Sequence, residues 1–210
     1  MIFWYLITSL GNSIITIPIT LTIAIWLFVS REWKMSLLWC SLFGVAMILV
    51  LATKIAFIGW GIGSEMLDFT GISGHATRAA MVFPVLFYYG FQRAPRKINH
   101  GGVYIGMLLG VVISLSRIMV HVHSGSEVVT GWLLGTGMSL IYLGSMKNHI
   151  VLTSRRWLVL CSFSLLLASP ALKPIQPEGL IVDVALYLSG HDRPFERSDW
   201  PHAAGRTHQL

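Results

Sequence analysis

The chain has 210 residues, of which 54% are hydrophobic and 11% charged, with a formal net charge of +6. Soluble domains carry about 25% charged residues. The low charge and a mean hydropathy of +0.69 therefore exclude a disordered chain, a coiled coil and an ordinary cytosolic enzyme.

The length suits five to seven membrane spans of about 20 residues each. Met1 to Leu10 is apolar but short, and Gly11-Asn12-Ser13 breaks it. It lacks the basic n-region and the cleavage site of a signal peptide. It reads as an interfacial helix within an N-terminal segment 1–13, with Trp4 and Tyr5 at headgroup level. Six spans are expected over 14–172: residues 14–29, 35–53, 75–91, 101–115, 127–146 and 157–172. Lys54 follows the second span. Residues 55–74 hold Gly59, Gly61, Gly63, Gly71 and Gly74 and read as a structured loop, and 116–126 as a loop or helix edge. Pro170 and Pro174 end the sixth span. Residues 173–210 form a tail with one amphipathic segment, 180–188. Cys40 and Cys161 lie inside apolar runs and read as buried thiols, with no disulfide framework. The tryptophans are expected at span ends or facing lipid. The fold class is all-α, a polytopic membrane protein of six transmembrane helices.

Eight of the 15 basic residues follow the odd-numbered spans: Arg31, Lys34, Arg93, Arg96, Lys97, Lys147, Arg155 and Arg156. Of the nine acidic residues, only Glu32 is with them. The positive-inside rule puts that side in the cytoplasm. The opposite loops and the tail then face outward, into the periplasm of a bacterial inner membrane. Basic residues spread between spans in this way offer no nucleic-acid surface, and the sequence carries no sign of oligomeric state.

Ionisable residues at span ends are costly in a membrane and mark function. The outward ends of spans two to five hold Lys54, Ser73, Gly74, His75, Arg117, His123 and Glu127. Alone, each has an ordinary reading: a snorkelling anchor, a wetted surface histidine, a helix N-cap. Together they make a chemical set. Two cations suit a phosphate dianion. Ser73-Gly74-His75 opens a helix whose N-terminal amides favour an anion. His123 and Glu127 are four apart, so on one helix face the carboxylate reaches the imidazole. A carboxylate on one ring nitrogen fixes the tautomer and leaves the other as a nucleophile. His75 is then available as general acid for the leaving oxygen.

Ser73-Gly74-His75 resembles the Pro-Ser-Gly-His motif of the type 2 phosphatidic acid phosphatase (PAP2) superfamily. Ser116-Arg117, five residues, His123, three residues and Glu127 resemble its Ser-Arg-x5-His-x3-Asp motif. Lys54 resembles the opening of its Lys-x6-Arg-Pro motif. Three positions depart: Ile72 stands for Pro, Glu127 for Asp, and Gly61-Ile62 for Arg-Pro. The resemblance implies a helical core with an outward site and a lipid phosphate or pyrophosphate as substrate. It implies that His123 attacks phosphorus to form a phosphohistidine, that Glu127 orients it and that His75 protonates the leaving group. Lys54, Ser73, Gly74 and Arg117 would hold the phosphate oxygens, with no metal and no cofactor. Arg193 and Arg78 are candidate substitutes for the missing arginine. Arg78 lies one turn beyond His75, with phosphate or Glu65 as its partner. Arg193 sits in a tail that the segment 180–188, lying on the membrane surface, would bring over the site.

Two other classes remain open to the sequence. Gly71-Ile72-Ser73-Gly74 matches the Gly-x-Ser-Gly pattern of a rhomboid-type intramembrane protease, although Lys54 and Arg117 have no role there. A membrane lipid-binding protein without catalysis is the second. Glu65 and Asp68 read as structural, with Asp68 a candidate cap for the helix that begins near His75. His121 reads as a spectator. For a phosphatase, the candidate substrates are undecaprenyl pyrophosphate, phosphatidic acid, phosphatidylglycerol phosphate and a lipid A phosphate.

Overall fold

A computed structural model describes residues 2–92, 94–146 and 178–200. Seven α-helices are present among them: α1 Ile2–Leu10, α2 Ser13–Val29, α3 Trp33–Trp60, α4 Gly74–Phe91, α5 Arg96–Met119, α6 Gly125–Ser145 and α7 Glu178–Ser189. A 3₁₀ turn, Arg197–Asp199, follows α7. The expected sixth span, 157–172, lies outside the described residues, as does Cys161.

Four helical stretches are long and apolar enough to cross a membrane: Phe3–Val29, Trp33–Trp60, Arg96–Met119 and Gly125–Ser145. The chain is thus an all-helical membrane protein among its described residues. The first stretch spans α1 and α2, which Asn12 joins by accepting a hydrogen bond from the Ile14 amide. The expected interfacial helix is therefore packed into the molecule: α1 lies against α5, and Thr8 is buried.

Arg31, with φ of 63°, turns the chain between α2 and α3. The pair is then tied by side chains that give polar hydrogens to backbone oxygens. Ser36 Oγ donates to the Ala24 carbonyl at 2.8 Å, and Trp39 Nε1 to that of Thr20 at 3.0 Å. In an apolar surround such donors need a partner. Trp39, its indole so paired, is a core residue, and Trp26 is buried too, against the expectation of tryptophans mostly at span ends or facing lipid, while Trp33 and Trp60 are exposed. Cys40, expected to be buried, is exposed on α3.

The helix α4 is the centre of the fold. It buries 11 of its 18 residues and touches α2, α3, α5 and α6. Small residues let it do so. On α5, a Cβ at Gly106 would stand 2.7 Å from the Phe83 carbonyl oxygen, and on α6 one at Gly131 would stand 2.6 Å from that of Ser73. A Cβ at Gly135 would run into the Thr77 carbonyl oxygen. Gly102, Gly106 and Gly110 recur every four residues, as do Gly131 and Gly135, so each set faces α4 as one stripe. These seams fix the depth of α4 relative to α5 and α6, and with it the level of His75.

At the far end of the bundle, Tyr89 and Tyr142 share a hydroxyl hydrogen bond at 2.5 Å, and Trp26 packs edge-on to Tyr89. Arg31, Lys34, Arg96 and Lys97 lie at this end, and Lys54, His75, Arg117 and Glu127 at the other. The helix α7 packs along the last turns of α3. Its exposed side carries Leu180, Val184, Tyr187 and Leu188 beside Asp183, so it lacks the polar outer face expected of an amphipathic surface helix.

Candidate active site

The site begins where α3 ends. The residues 55–60 continue the helix, so Lys54 lies six residues inside α3 and not at its end. Gly61 stops the helix in the left-handed region, at φ of 67°. A small turn closed by Ser64 and Phe69 then leads back. Gly71 folds over Lys54: a Cβ there would stand 3.0 Å from Lys54 Cγ. The Ile72 amide donates to Thr53 Oγ1 at 3.0 Å. Proline has no amide hydrogen, so this contact accounts for isoleucine at the position where the resembled motif has proline.

Ser73 is the N-cap of α4, and its amide donates to the Glu127 carbonyl oxygen at 3.1 Å. Its side chain makes no cap bond. Its Oγ is fully buried and has no hydrogen-bond partner among the described residues. The first amides of α4 have no intrahelical acceptor, so hydroxyl and amides together form a donor cluster. Asp68 caps nothing here and pairs with Arg197 instead.

Glu127 collects five contacts although only 1% of its side chain is exposed. Its Oε2 meets His123 Nδ1 at 2.7 Å and accepts from the Ser124 amide at 3.3 Å. Its Oε1 accepts from the Thr70 amide at 2.9 Å, from Thr70 Oγ1, and from Arg197 Nη2 at 2.7 Å. The pairing of His123 with Glu127 was expected from a shared helix face, but His123 precedes Ser124, the N-cap of α6. The carboxylate reaches it because Glu127, in the first turn, folds back in a capping box with Ser124. The string Ser124-x-x-Glu127 carries that signal in the sequence.

Around these residues the charge is positive. The guanidinium groups of Arg117 and Arg78 and the Lys54 ammonium are near half-buried His75, as is the His123 ring. Arg117 is nearly buried at the end of α5 and donates from Nη1 to Thr8 Oγ1 at 3.1 Å. Arg78 lies under the first turn of α4, where its Nη2 reaches the Gly11 carbonyl oxygen at 3.5 Å. Glu65 is not that acceptor.

A pocket of about 340 Å³ opens at the centre. Its lining combines polar residues, Lys54, Thr70, His123, Glu127 and Arg197, with apolar ones, Phe57, Ile58, Val122, Ile181 and Val182. The structure thus brings Lys54, His123 and Glu127 to one cavity, with His75 adjoining. Ser73 and Arg117 are not among its lining residues. Arg193 does not join it either: it is exposed and donates to Asp199 at 3.1 Å. The tail does reach the pocket, but four residues later, through Arg197. Thr8, Thr70 and Arg197 carry no local signal in the sequence. Each comes from a segment remote from the residue it touches. His121, at φ of 55°, is exposed in the turn after α5. Among the described residues, no three His, Cys, Asp or Glu side chains gather as metal ligands.

Comparisons with known proteins meet this geometry. The PAP2 superfamily model matches residues 61–150, which hold Ser73, His75, Arg117, His123 and Glu127 but not Lys54. An uncharacterized 22.5 kDa protein in the cps region of Klebsiella pneumoniae is 32% identical over 204 residues, covering 93% of this chain and 96% of its own. The phosphatidylglycerophosphatase B of Bacillus subtilis strain 168 is 30% identical over 135 residues, covering 61% of this chain and 66% of its own. No solved structure matches the chain. With motif order, site geometry and family match in agreement, the chain belongs to the PAP2 superfamily.

Proposed function

We propose that the protein is a membrane lipid phosphatase that works through a phosphohistidine on His123. The observation that carries this reading is His123 Nδ1 held on Glu127 at 2.7 Å in the lining of a pocket that also holds Lys54, Arg197 and several apolar side chains. With Nδ1 engaged, Nε2 is the ring nitrogen available to phosphorus. Nε2 forms a bond to phosphorus while the bond from phosphorus to the lipid oxygen breaks, and His75 gives that oxygen its proton. Water then attacks phosphorus while the bond from phosphorus to Nε2 breaks. Its proton returns to His75, and inorganic phosphate leaves. Lys54, Arg117, Ser73 Oγ and the Gly74 amide stabilise the charge that spreads over the phosphoryl oxygens. Lys54 and Arg117 supply the positive charge, so the reaction proceeds without a metal ion. The apolar lining residues Phe57, Ile58, Val122, Ile181 and Val182 suit the lipid end of the substrate.

The relative from Bacillus subtilis bears the name of a phosphatidylglycerophosphatase, which puts phosphatidylglycerol phosphate first among the candidate lipids. Undecaprenyl pyrophosphate, phosphatidic acid and a lipid A phosphate follow. The basic loops at the far end of the bundle orient the site toward the periplasm of a bacterial inner membrane. Alkaline phosphatase fused after Leu210 is therefore expected to be active, and an inactive fusion would reverse the orientation.

The deciding experiment is phosphate release from these four lipids by purified protein in detergent, with EDTA present. Release is expected from at least one lipid, with inhibition by vanadate, and His123→Ala should lower turnover by roughly a thousandfold or more. His75→Ala should slow a lipid substrate far more than an activated aryl phosphate, which needs no proton on its leaving group. Release that depends on added metal, or that survives loss of His123, would overturn the mechanism. No release from any lipid would favour the non-catalytic lipid-binding reading.

A further inference from the structure

Arginine is missing seven residues after Lys54, and the structure has something else there. Gly61 ends α3 with an open face, and the ring of Phe195 lies against it: a Cβ at Gly61 would stand 2.9 Å from Phe195 Cδ1. Residues 191–200 form a strap over the end of α3, held at three further points. His191 Nδ1 meets the Gly59 carbonyl oxygen at 2.7 Å, and the Phe195 amide donates to that of Ile58 at 2.8 Å. Trp200 packs edge-on to Phe57, with ring centroids 5.6 Å apart. So anchored, the strap delivers Arg197 to the pocket that Lys54 and His123 line.

The guanidinium is seated asymmetrically. Nη2 is fixed on buried Glu127 at 2.7 Å, while Nη1 reaches Asp68 only at 3.5 Å, with both of those side chains largely exposed. An exposed ion pair of that length holds little. A guanidinium is a planar fork of five N–H donors, so one edge can stay anchored while the other serves a second anion. Building on the phosphatase reading above, we infer that Arg197 is a phosphate-binding residue. With Nη2 anchored on Glu127, Nη1 exchanges Asp68 for a phosphoryl oxygen and takes the place of the arginine absent from the Lys54 motif. The strap then supplies in space what the motif lacks in sequence.

The test uses full-length protein in detergent, turnover of phosphatidylglycerol phosphate and of p-nitrophenyl phosphate, and inhibition by orthovanadate, a phosphate analogue. Arg197→Ala should lower kcat/KM on both substrates by at least about tenfold and raise the vanadate inhibition constant by a similar factor. Arg197→Lys, which keeps a cation, should recover part of both. Millimolar guanidinium ion should restore turnover to the alanine variant by at least about threefold. Arg193→Ala, on the same strap, should stay within about twofold of wild type. Unchanged vanadate inhibition in both Arg197 variants would overturn the inference even if kcat falls, because a residue acting only through Glu127 or the strap's fold has no contact with the analogue. If wild type is active, His123→Ala is inert and the Arg197 variants behave as wild type, the inference fails and the phosphatase reading stands. A wild type inert on both of these substrates and on the other three candidate lipids ends both.

Discussion

Two regions of the molecule meet at Glu127, and they reach it by opposite means. The seams between α4, α5 and α6 bring backbone to backbone. Glycines at 106, 131 and 135 remove the side chains between helices, and the Ser73 amide bonds directly to the Glu127 carbonyl oxygen. The strap brings a long side chain across 70 residues of sequence to the carboxylate of the same residue. The first region has no slack, because its contacts are between main-chain atoms that cannot choose another rotamer. The second is a set of separate anchors, each of which can fail without dislodging the others. Position within α4 is thus set rigidly, and the cation at its edge is adjustable.

The largest effect expected from this contrast comes from Gly135→Leu. The new side chain meets the Thr77 carbonyl oxygen and Ala80, so α4 and α6 must separate, and Ser73 and His75 move with α4. Overpacking of this kind costs about 3 kcal/mol or more where backbone cannot yield. Thermal unfolding in detergent should show a clear loss of stability, accompanied by loss of phosphatase turnover. A stable, active Gly135→Leu protein would break the claim that the seam sets the level of His75.

The smallest comes from Phe195→Ala. The ring is already partly exposed, and the strap keeps its bonds from His191 to Gly59 and from the Phe195 amide to Ile58. Loss of the partly buried ring costs about 1 kcal/mol. Thermal stability should fall only slightly, and kcat/KM by about two- to fivefold. A collapse of activity as deep as that expected for Gly135→Leu would mean the strap has a single keystone and not several anchors.

The two regions also differ in how well the sequence reveals them. The residues near α4, α5 and α6 were legible because motif spacing and span order depend on local periodicity. Ser73, His75, Arg117, His123 and Glu127 stand out as polar residues at span ends and through the motifs that they resemble. The reason offered for the pair of His123 and Glu127 was a helix face, whereas a capping box makes it, and Ser124 announced that box. Lys54 reads as the end of the second span because the glycine-rich residues 55–74 look like a loop, whereas the helix runs through Gly59 and stops at Gly61. The partners of Glu127 from outside the motifs, Thr70 and Arg197, were not legible. Nothing in the residues around 70 or 197 repeats, caps or pairs in a way that names position 127. The tail's reach was anticipated but assigned to Arg193, which the strap's own Asp199 holds on the surface instead. Long-range contacts of single side chains leave no period to read.

The strap's distance along the chain also sets an order of events. The bond from His191 to Gly59 joins residues 132 apart, and Arg197 meets a carboxylate made 70 residues before it. Chains are built from the N-terminus and their early parts fold first. The helices that carry His75, His123 and Glu127 are therefore synthesised before residue 197 exists. Assembly has two stages in time: a bundle that carries His75, His123 and Glu127, then a late closure that adds the Arg197 guanidinium. During biogenesis the nascent protein passes through an interval in which Glu127 has its histidine and threonine partners but not its arginine.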